Sequence, residues 1–157
     1  MQESARTYEG LSGVKQTVEG SGSHVLIRNA NNSIVVTSEQ VPSSMHIKGG
    51  QSTVFKVEAK GPVFVHDLED CDLVINCHQL RLHNLNNCRI WIDNVGNNTI
   101  IIENCRGLTI GRLDGGSVEV DDFDWPTKSF TNPHFKHATE RIDYGWISGI
   151  QDGKIDR

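Results

Sequence analysis

The segment Leu68-Glu-Asp-Cys-Asp-Leu-Val-Ile75 recurs twice with small changes, as Leu85-Asn-Asn-Cys-Arg-Ile-Trp-Ile92 and as Ile102-Glu-Asn-Cys-Arg-Gly-Leu-Thr-Ile110. In each copy an apolar residue and a polar pair precede a cysteine, and a run rich in Val, Ile and Leu follows. The three cysteines, Cys71, Cys88 and Cys105, are spaced 17 residues apart. A fixed period too short for a helical hairpin is typical of a stacked β-solenoid. The sequence therefore predicts an all-β fold of repeated coils.

A coil of 17 residues accommodates three strands of about four residues and three corners, which makes a triangular solenoid. Residues at the same phase should then stack about 4.8 Å apart. This arrangement predicts an internal ladder of the three cysteines and a second ladder of Leu68, Leu85 and Ile102. Corner positions are expected at Asp70, Asn87 and Asn104, since Asn and Asp accept left-handed turns. Upstream, the spacing loosens to 19 residues if Ser33 and Ser52 take the cysteine position.

The composition agrees with this fold. Among 157 residues there are 14 Val and 14 Ile against nine Leu and four Ala, and β-branched residues favour strands. Twelve Asn and 15 Gly suit tight corners. We expect a tail at residues 1–10, a β-helix domain over 11–125 and a C-terminal extension or flap over 126–157. The last region carries six of the ten aromatic residues and is expected to cap the solenoid.

Several classes of function are disfavoured. The net charge of -5, without a stripe of Lys and Arg, argues against nucleic acid. No apolar run is long enough for a membrane span, and the first residues lack a secretory signal, so a cytoplasmic protein with reduced cysteines is expected. A zinc site at Cys77, His78 and His83 lacks paired spacing, and no metal is expected. Paired acids such as Asp121 and Asp122 leave a carbohydrate-active β-helix enzyme as a weaker alternative.

One strand carries a candidate functional group. In Gln79-Leu80-Arg81-Leu82-His83 the two leucines alternate with polar residues, so Gln79, Arg81 and His83 should face outward. The period of 17 places Asn98 beside Arg81, with Glu103 nearby. An outward arginine on a rigid sheet is pre-aimed at an anionic group of a partner, although an isolated arginine is usually an ordinary surface residue.

The run Gly61-Pro-Val-Phe-Val-His-Asp-Leu-Glu-Asp-Cys-Asp-Leu-Val-Ile-Asn-Cys-His-Gln-Leu-Arg-Leu-His83 resembles the central motif of the tubulin-binding cofactor C family. That motif has an acidic-Cys strand and then Cys-Gln-Gln-Leu/Phe-Arg. The segments Ile100-Ile-Ile-Glu-Asn-Cys105 and Val120-Asp-Asp-Phe-Asp-Trp125 also match in order. The similarity covers approximately residues 10–125 and implies a right-handed parallel β-helix. Within the family, a fungal-type tubulin-folding cofactor C is expected.

The resemblance implies stimulation of GTP hydrolysis by an Arf-like small GTPase during αβ-tubulin heterodimer assembly. Arg81 would be an arginine finger that Gln79 orients, and partner contacts are implied for Glu103, Phe123, His78 and His83. The expected partners are the GTPase, tubulin cofactors D and E, and β-tubulin, in the cytoplasm and at the cytoskeleton. The chain would complete the partner's active site rather than act as an enzyme alone, and it would need no cofactor, because the GTPase binds GTP and Mg.

Two points separate this chain from the family pattern. His78 stands where the family has the first Gln, and the N-terminal helical domain of cofactor C is not in this sequence. A C-terminal fragment or a short relative is therefore expected. The alternatives are an activator like the retinitis pigmentosa 2 protein, which acts in lipidated-cargo traffic, and a non-catalytic scaffold like the cyclase-associated proteins. The outward Arg between Gln and His favours an activator over a scaffold.

Overall fold

The computed structural model describes residues 4–125 and 131–138. In this part the chain is almost entirely β-strand, with one short 3-10 helix, η1, at Gly96–Asn98. The strands are β1 (Ser4–Ser12), β2 (Lys15–Val18), β3 (Ser23–Asn31), β4 (Ile34–Thr37), β5 (Ser44–Gln51), β6 (Val54–Glu58), β7 (Pro62–Glu69), β8 (Asp72–Cys77), β9 (Gln79–Asn86), β10 (Arg89–Val95), β11 (Thr99–Glu103), β12 (Leu108–Arg112), β13 (Glu119–Asp122) and β14 (Phe135–His137).

The strands form two parallel sheets that run the length of the solenoid. The odd-numbered strands pair in the order β1-β3-β5-β7-β9-β11-β13, and the even-numbered strands pair in the order β14-β12-β10-β8-β6-β4-β2. The core lies between the sheets and consists mainly of Val, Ile and Leu that are fully buried. The predicted all-β solenoid is confirmed. No helix in the described residues is long and apolar enough to cross a membrane.

Left-handed residues shape the corners of the coils. Long strands bend at Asn29, Asp67 and Asn84, whose φ angles are 57°, 60° and 56°. A second corner follows two or three residues later at Asp70 and Asn87, both with φ of 54°. The side chains of successive corners are linked, since Asn84 Nδ2 donates to Asp67 Oδ1 at 2.7 Å and Asn87 donates to Asp70. Together the two bends divide a coil into three sides, and the Asn surplus lies where it was expected.

The coils differ in length. Val63 pairs with Leu80, a step of 17 residues, but Leu80 pairs with Ile100, a step of 20. One of the extra residues sits at a register shift between Ile92 and Asn94. The other two are Asn97 and Asn98, which have φ of 58° and 50° beside η1. The 17-residue period is therefore one coil, not a constant repeat.

This longer coil changes the neighbours that the fixed period assigned. Cys105 does not stack on Cys88: Asn104 Nδ2 donates to Asn84 Oδ1 at 3.2 Å, and Asn86 bridges Arg106, so Cys105 continues the Leu85 column. Arg89 pairs with Thr109, which places Leu108 after Cys88. The ladder that was expected to contain Ile102 is also wrong at its last member, because Ile102 pairs with Leu82. All of these side chains except the corner asparagines are nevertheless buried.

The cysteine column is continued upstream by hydroxyl residues. Ser33 occupies it as predicted, but Thr53 rather than Ser52 follows, because Ser52 is a left-handed corner with φ of 51°. Thr53 is fully buried, and its Oγ1 donates to the carbonyl oxygen of Ala30 at 2.9 Å. The Ser33 backbone N–H donates to the same hydroxyl at 3.3 Å. A hydroxyl can therefore replace the thiol here because a backbone acceptor is within reach.

The boundaries of the solenoid extend beyond those expected. Strand β1 pairs with β3 from Ser4 onward, so the predicted start at residue 11 is too late. At the other end, β14 pairs with β12, and Phe135 packs against the core. Part of the predicted flap thus continues the second sheet. The other aromatic residues proposed for the cap, Phe130, Tyr144 and Trp146, lie outside the described residues.

A buried polar contact holds β14 to the last coil. His134 Nδ1 lies 2.6 Å from Asp122 Oδ2, and Asn132 Nδ2 donates to the same oxygen at 2.9 Å. Both Asp122 and His134 are less than a tenth exposed. Burial alone would raise the pKa of the Asp122 carboxyl, but the hydrogen bonds from Asn132 and His134 outweigh it and hold the pKa below its ordinary value.

We expect Asp122→Ala to lower the free energy of unfolding by about 1–3 kcal/mol, because it leaves two buried donors without an acceptor. The depressed pKa means that the carboxylate stabilises the fold fully above about pH 4 and less as the pH falls. Urea denaturation at several pH values should therefore show the difference between wild type and variant shrinking in acid. A difference that is constant or grows toward low pH would contradict this account.

The four cysteines are free and buried. Burial raises the pKa of the Cys77 thiol to about 12 and that of the Cys105 thiol to about 11. Thiols with raised pKa values are protonated near neutral pH and react slowly, since the thiolate is the nucleophile. The native protein should therefore exclude a chromogenic disulfide reagent and release four equivalents only after denaturant is added. Reaction of any of the four at the rate of a free cysteine would contradict the internal placement.

Candidate functional site

The alternation predicted for β9 is present in the structure. Leu80 and Leu82 are buried, whereas Arg81 and His83 are exposed and Gln79 is half-buried on the same outer side. The leucines pack into the core between the sheets and fix the strand. Arg81 therefore projects from a rigid part of the solenoid rather than from a loop.

The neighbouring strands complete a depression around Arg81. Phe64 on β7 and Ile101 on β11 pair with Arg81 on its two sides, and His66 and Glu103 pair in the same way with His83. With Phe123 these side chains line a depression of about 400 Å³. The structure thus brings together four of the predicted site residues, namely Arg81, His83, Glu103 and Phe123.

Phe123 follows the last strand of the first sheet and is held by its backbone. Its N–H donates to the Ile102 carbonyl oxygen at 3.0 Å, and the turn closes with Trp125 N–H donating to the Asp122 carbonyl oxygen at 3.1 Å. The Phe123 side chain is 55% exposed. A large apolar side chain fixed in the open beside a depression is typical of a contact for another protein.

The guanidinium of Arg81 has no internal partner in the described residues, where it forms neither a hydrogen bond nor an ion pair. Its apolar neighbours Phe64 and Ile101 offer no acceptor side chains. An arginine keeps its charge and five donors, which match the oxygens of carboxylates and phosphates. The site can therefore present one unneutralised cation to an anionic group.

The remaining predicted residues lie apart from this depression. Gln79 is two positions before Arg81 on the same side of β9 but does not line the depression. His78 lies at the corner, where its carbonyl oxygen accepts from the Gly96 N–H at 2.9 Å, and it borders a different recess. A Cβ on Gly96 would be 2.2 Å from that oxygen, so the corner requires glycine.

The zinc alternative finds no geometric support. Cys77 is buried, while His78 lies at the corner and His83 on the outer face. Among the described residues, no three His, Cys, Asp or Glu side chains are arranged to hold a metal ion.

Sequence reasoning missed three residues of the depression, Phe64, His66 and Ile101. Phe64 and His66 precede Arg81 and His83 by 17 residues, so the coil length contained the signal for both. Ile101 had no such signal, because the coil after β9 is longer and the fixed period selected Asn98 instead. Asn98 in fact holds the corner, with its Oδ1 accepting from Arg112 at 2.6 Å.

The family model for tubulin binding cofactor C matches residues 22–137. The chain belongs to this family. The matched range includes the whole depression around Arg81. Among relatives, this cofactor C family member is similar to tubulin-specific chaperone C of Mus musculus, with 22% identity over 68% of this chain and 39% of the relative.

A second relative is tubulin-specific chaperone C of Homo sapiens, with 26% identity over 50% of this chain and 28% of the relative. The similarity to these two proteins thus spans less than two fifths of their length. No solved structure gives a significant match.

Proposed function

We propose that this cofactor C family member is a GTPase-activating domain for an Arf-like small GTPase and supplies Arg81 in trans. The observation that supports the proposal best is the exposed guanidinium of Arg81, unpaired among the described residues and set in a depression beside the exposed Phe123. Such a cation is fixed in place before the partner arrives, which is what an arginine finger requires.

The proposed mechanism stabilises charge. When the γ-phosphoryl group leaves GTP, negative charge develops on its oxygens and on the bridging oxygen, and the guanidinium N–H groups of Arg81 would donate to them. Gln79 on the same side of β9 would orient the finger. GTP and Mg are bound by the GTPase, whose own residues would position the attacking water. This chain would contribute no proton transfer and no bond to the substrate.

The rest of the depression would dock the partner. Phe123 would bury its exposed ring against apolar residues of the GTPase, and Glu103 and His83 would add polar contacts at the margin. His78 lies farther along the corner and would contact the partner only at the edge of the interface. The expected gain from docking is the placement of Arg81, so the finger and its support form one unit.

The names of the relatives suggest the cellular setting. Both are called tubulin-specific chaperones, and we propose by that similarity that the chain acts in tubulin folding and αβ-tubulin heterodimer assembly. The proposed partners besides the GTPase are cofactors D and E and β-tubulin, in the cytoplasm and in association with the cytoskeleton. In this role the chain is an activator and not an enzyme by itself.

A single-turnover GTP hydrolysis assay tests the proposal. A panel of purified Arf-like GTPases loaded with GTP is mixed with this chain, alone and with cofactors D, E and tubulin. Acceleration that needs the other cofactors supports the tubulin role, and acceleration without them supports an activator of the cargo-traffic kind. Binding to a GTPase with no acceleration by any combination would replace the proposal with a scaffold.

A further inference from the structure

The outer face of the first sheet is strongly asymmetric in charge. The outward positions of β3, β5, β7 and β9 contain no Asp or Glu, although the whole chain has a net charge of -5. They do contain three permanent cations, Arg28, Lys48 and Arg81. We call these outward positions the basic face.

Histidines fill much of the rest of the basic face. His24, His46 and His66 are half-buried and His83 is exposed. The rings of His46 and His66 are 4.8 Å apart, and those of His66 and His83 are 5.4 Å apart. The Nε2 atom of His46 is buried and has no hydrogen-bond partner among the described residues. Imidazoles placed this closely cannot all be charged without a counter-charge.

The cations follow the register of the sheet. Arg28 pairs with Lys48, Lys48 with His66, and His66 with His83, so four side chains stack at the inter-strand distance of about 4.8 Å. Like charges directly opposite each other on a sheet destabilise it. In the described residues Arg28 and Lys48 form no ion pair that would relieve this repulsion. The row is therefore arranged to receive negative charge from outside the chain.

We propose that the basic face binds an extended acidic peptide segment of a partner protein, laid across the row Arg28, Lys48 and His66. The face spans only four strands, about 15 Å, and holds too few Lys and Arg for nucleic acid or an anionic membrane. Several carboxylates on a short peptide match this area and charge. Leu26 and Phe64, half-buried between the basic rows, offer apolar contacts to the peptide side chains between the carboxylates.

Binding should depend on pH with a definite sign. Burial, with nearby His and Lys, lowers the pKa of His46 and of His66, so both are mostly neutral when no anion is bound. Carboxylates laid against them favour the protonated forms, and the peptide stays ionised down to about pH 5. Affinity should therefore rise as the pH falls from about 8 to about 6. The acidic groups that border the face and oppose this gain are Glu9, Asp67, Glu103 and Asp121.

Fluorescence anisotropy with a labelled hexaglutamate peptide tests the inference without any GTPase. We expect salt-sensitive binding that hexaglutamine does not share and that strengthens from about pH 8 to about pH 6. Lys48→Glu should weaken it about tenfold, since attraction becomes repulsion in the middle of the row. Lys56→Glu is the matched control, because Lys56 is also exposed but lies on β6 in the other sheet, and it should change affinity by less than about twofold.

Some outcomes would overturn the inference. These are equal weakening by the two charge reversals, equal binding of hexaglutamine, or tighter binding to anionic vesicles or single-stranded DNA than to the peptide. Absence of hexaglutamate binding at both pH values would do the same. Because the assay contains no nucleotide or GTPase, its result is separate from that of the hydrolysis assay.

Discussion

Replacing Arg81 with alanine is expected to reduce stimulated GTP hydrolysis by about 10³–10⁵-fold, the full effect of a trans-acting arginine. The physical reason is that no other cation lines the depression except through histidine, so nothing else can donate a bidentate charge-assisted hydrogen bond there. The free energy of unfolding should change by less than about 0.5 kcal/mol, because the side chain is exposed and unpaired in the described residues. Single-turnover hydrolysis and urea denaturation measure the two effects.

Two further variants sharpen this prediction. Arg81→Lys keeps the charge but loses the planar fork, so it should recover only a small part of the rate. Arg6→Ala removes an exposed arginine from β1, at the far end of the same sheet, and should stimulate like wild type. An Arg81→Ala protein that accelerates hydrolysis as well as wild type would exclude the finger. Loss of stimulation together with loss of folded protein would instead assign Arg81 a structural role.

Phe55→Ala is expected to be the most destabilising single change, at about 3–5 kcal/mol. Phe55 is fully buried in the middle of the second sheet, between Val35 on β4 and Leu73 on β8. Coils stacked on each side leave the core little freedom to close over the cavity. Equilibrium urea denaturation should show a lower midpoint with little change in slope.

Phe123→Ala is the matched control, because it deletes the same ring from a position that is 55% exposed. It should cost less than about 0.5 kcal/mol of stability while weakening the affinity for the GTPase. Similar losses of stability in the two variants would contradict the placement of Phe55 in the core and Phe123 on the surface.

The fold was predictable because its signal is local. The alternation of leucines in β9 and the Asn and Asp that precede Cys71 and Cys88 each report on a few neighbouring residues, and stacking repeats them. The length of a given coil is not local in this sense. Asp93, Asn97 and Asn98 add three residues to one coil, and no residue pattern distinguishes such an insertion from a change of strand length. Register errors at Cys105 and Ile102 followed from that step alone.

The same step limited prediction of the site. Arg81, Glu103 and Phe123 are in one depression as the family resemblance implied, yet the sequence gave no measure of their exposure or partners. Phe64 lies one coil before Arg81 at the expected spacing, whereas Ile101 lies beyond the insertion. The pairing of opposite faces of a solenoid depends on accumulated coil lengths, so a single misjudged corner shifts every later neighbour.

The corner at Gly96–Asn98 also has a practical consequence for protein engineering. Strands β10 and β11 resume regular pairing with β8 and β9 on both sides of the added residues, so this corner absorbs extra chain without disturbing the sheets. Loop length costs little once the ends are fixed. A peptide epitope or a fluorophore-binding tag grafted between Asn97 and Asn98 should therefore leave the two sheets folded. Such a graft would report on docking from a fixed point beside β11, without a fusion at either terminus.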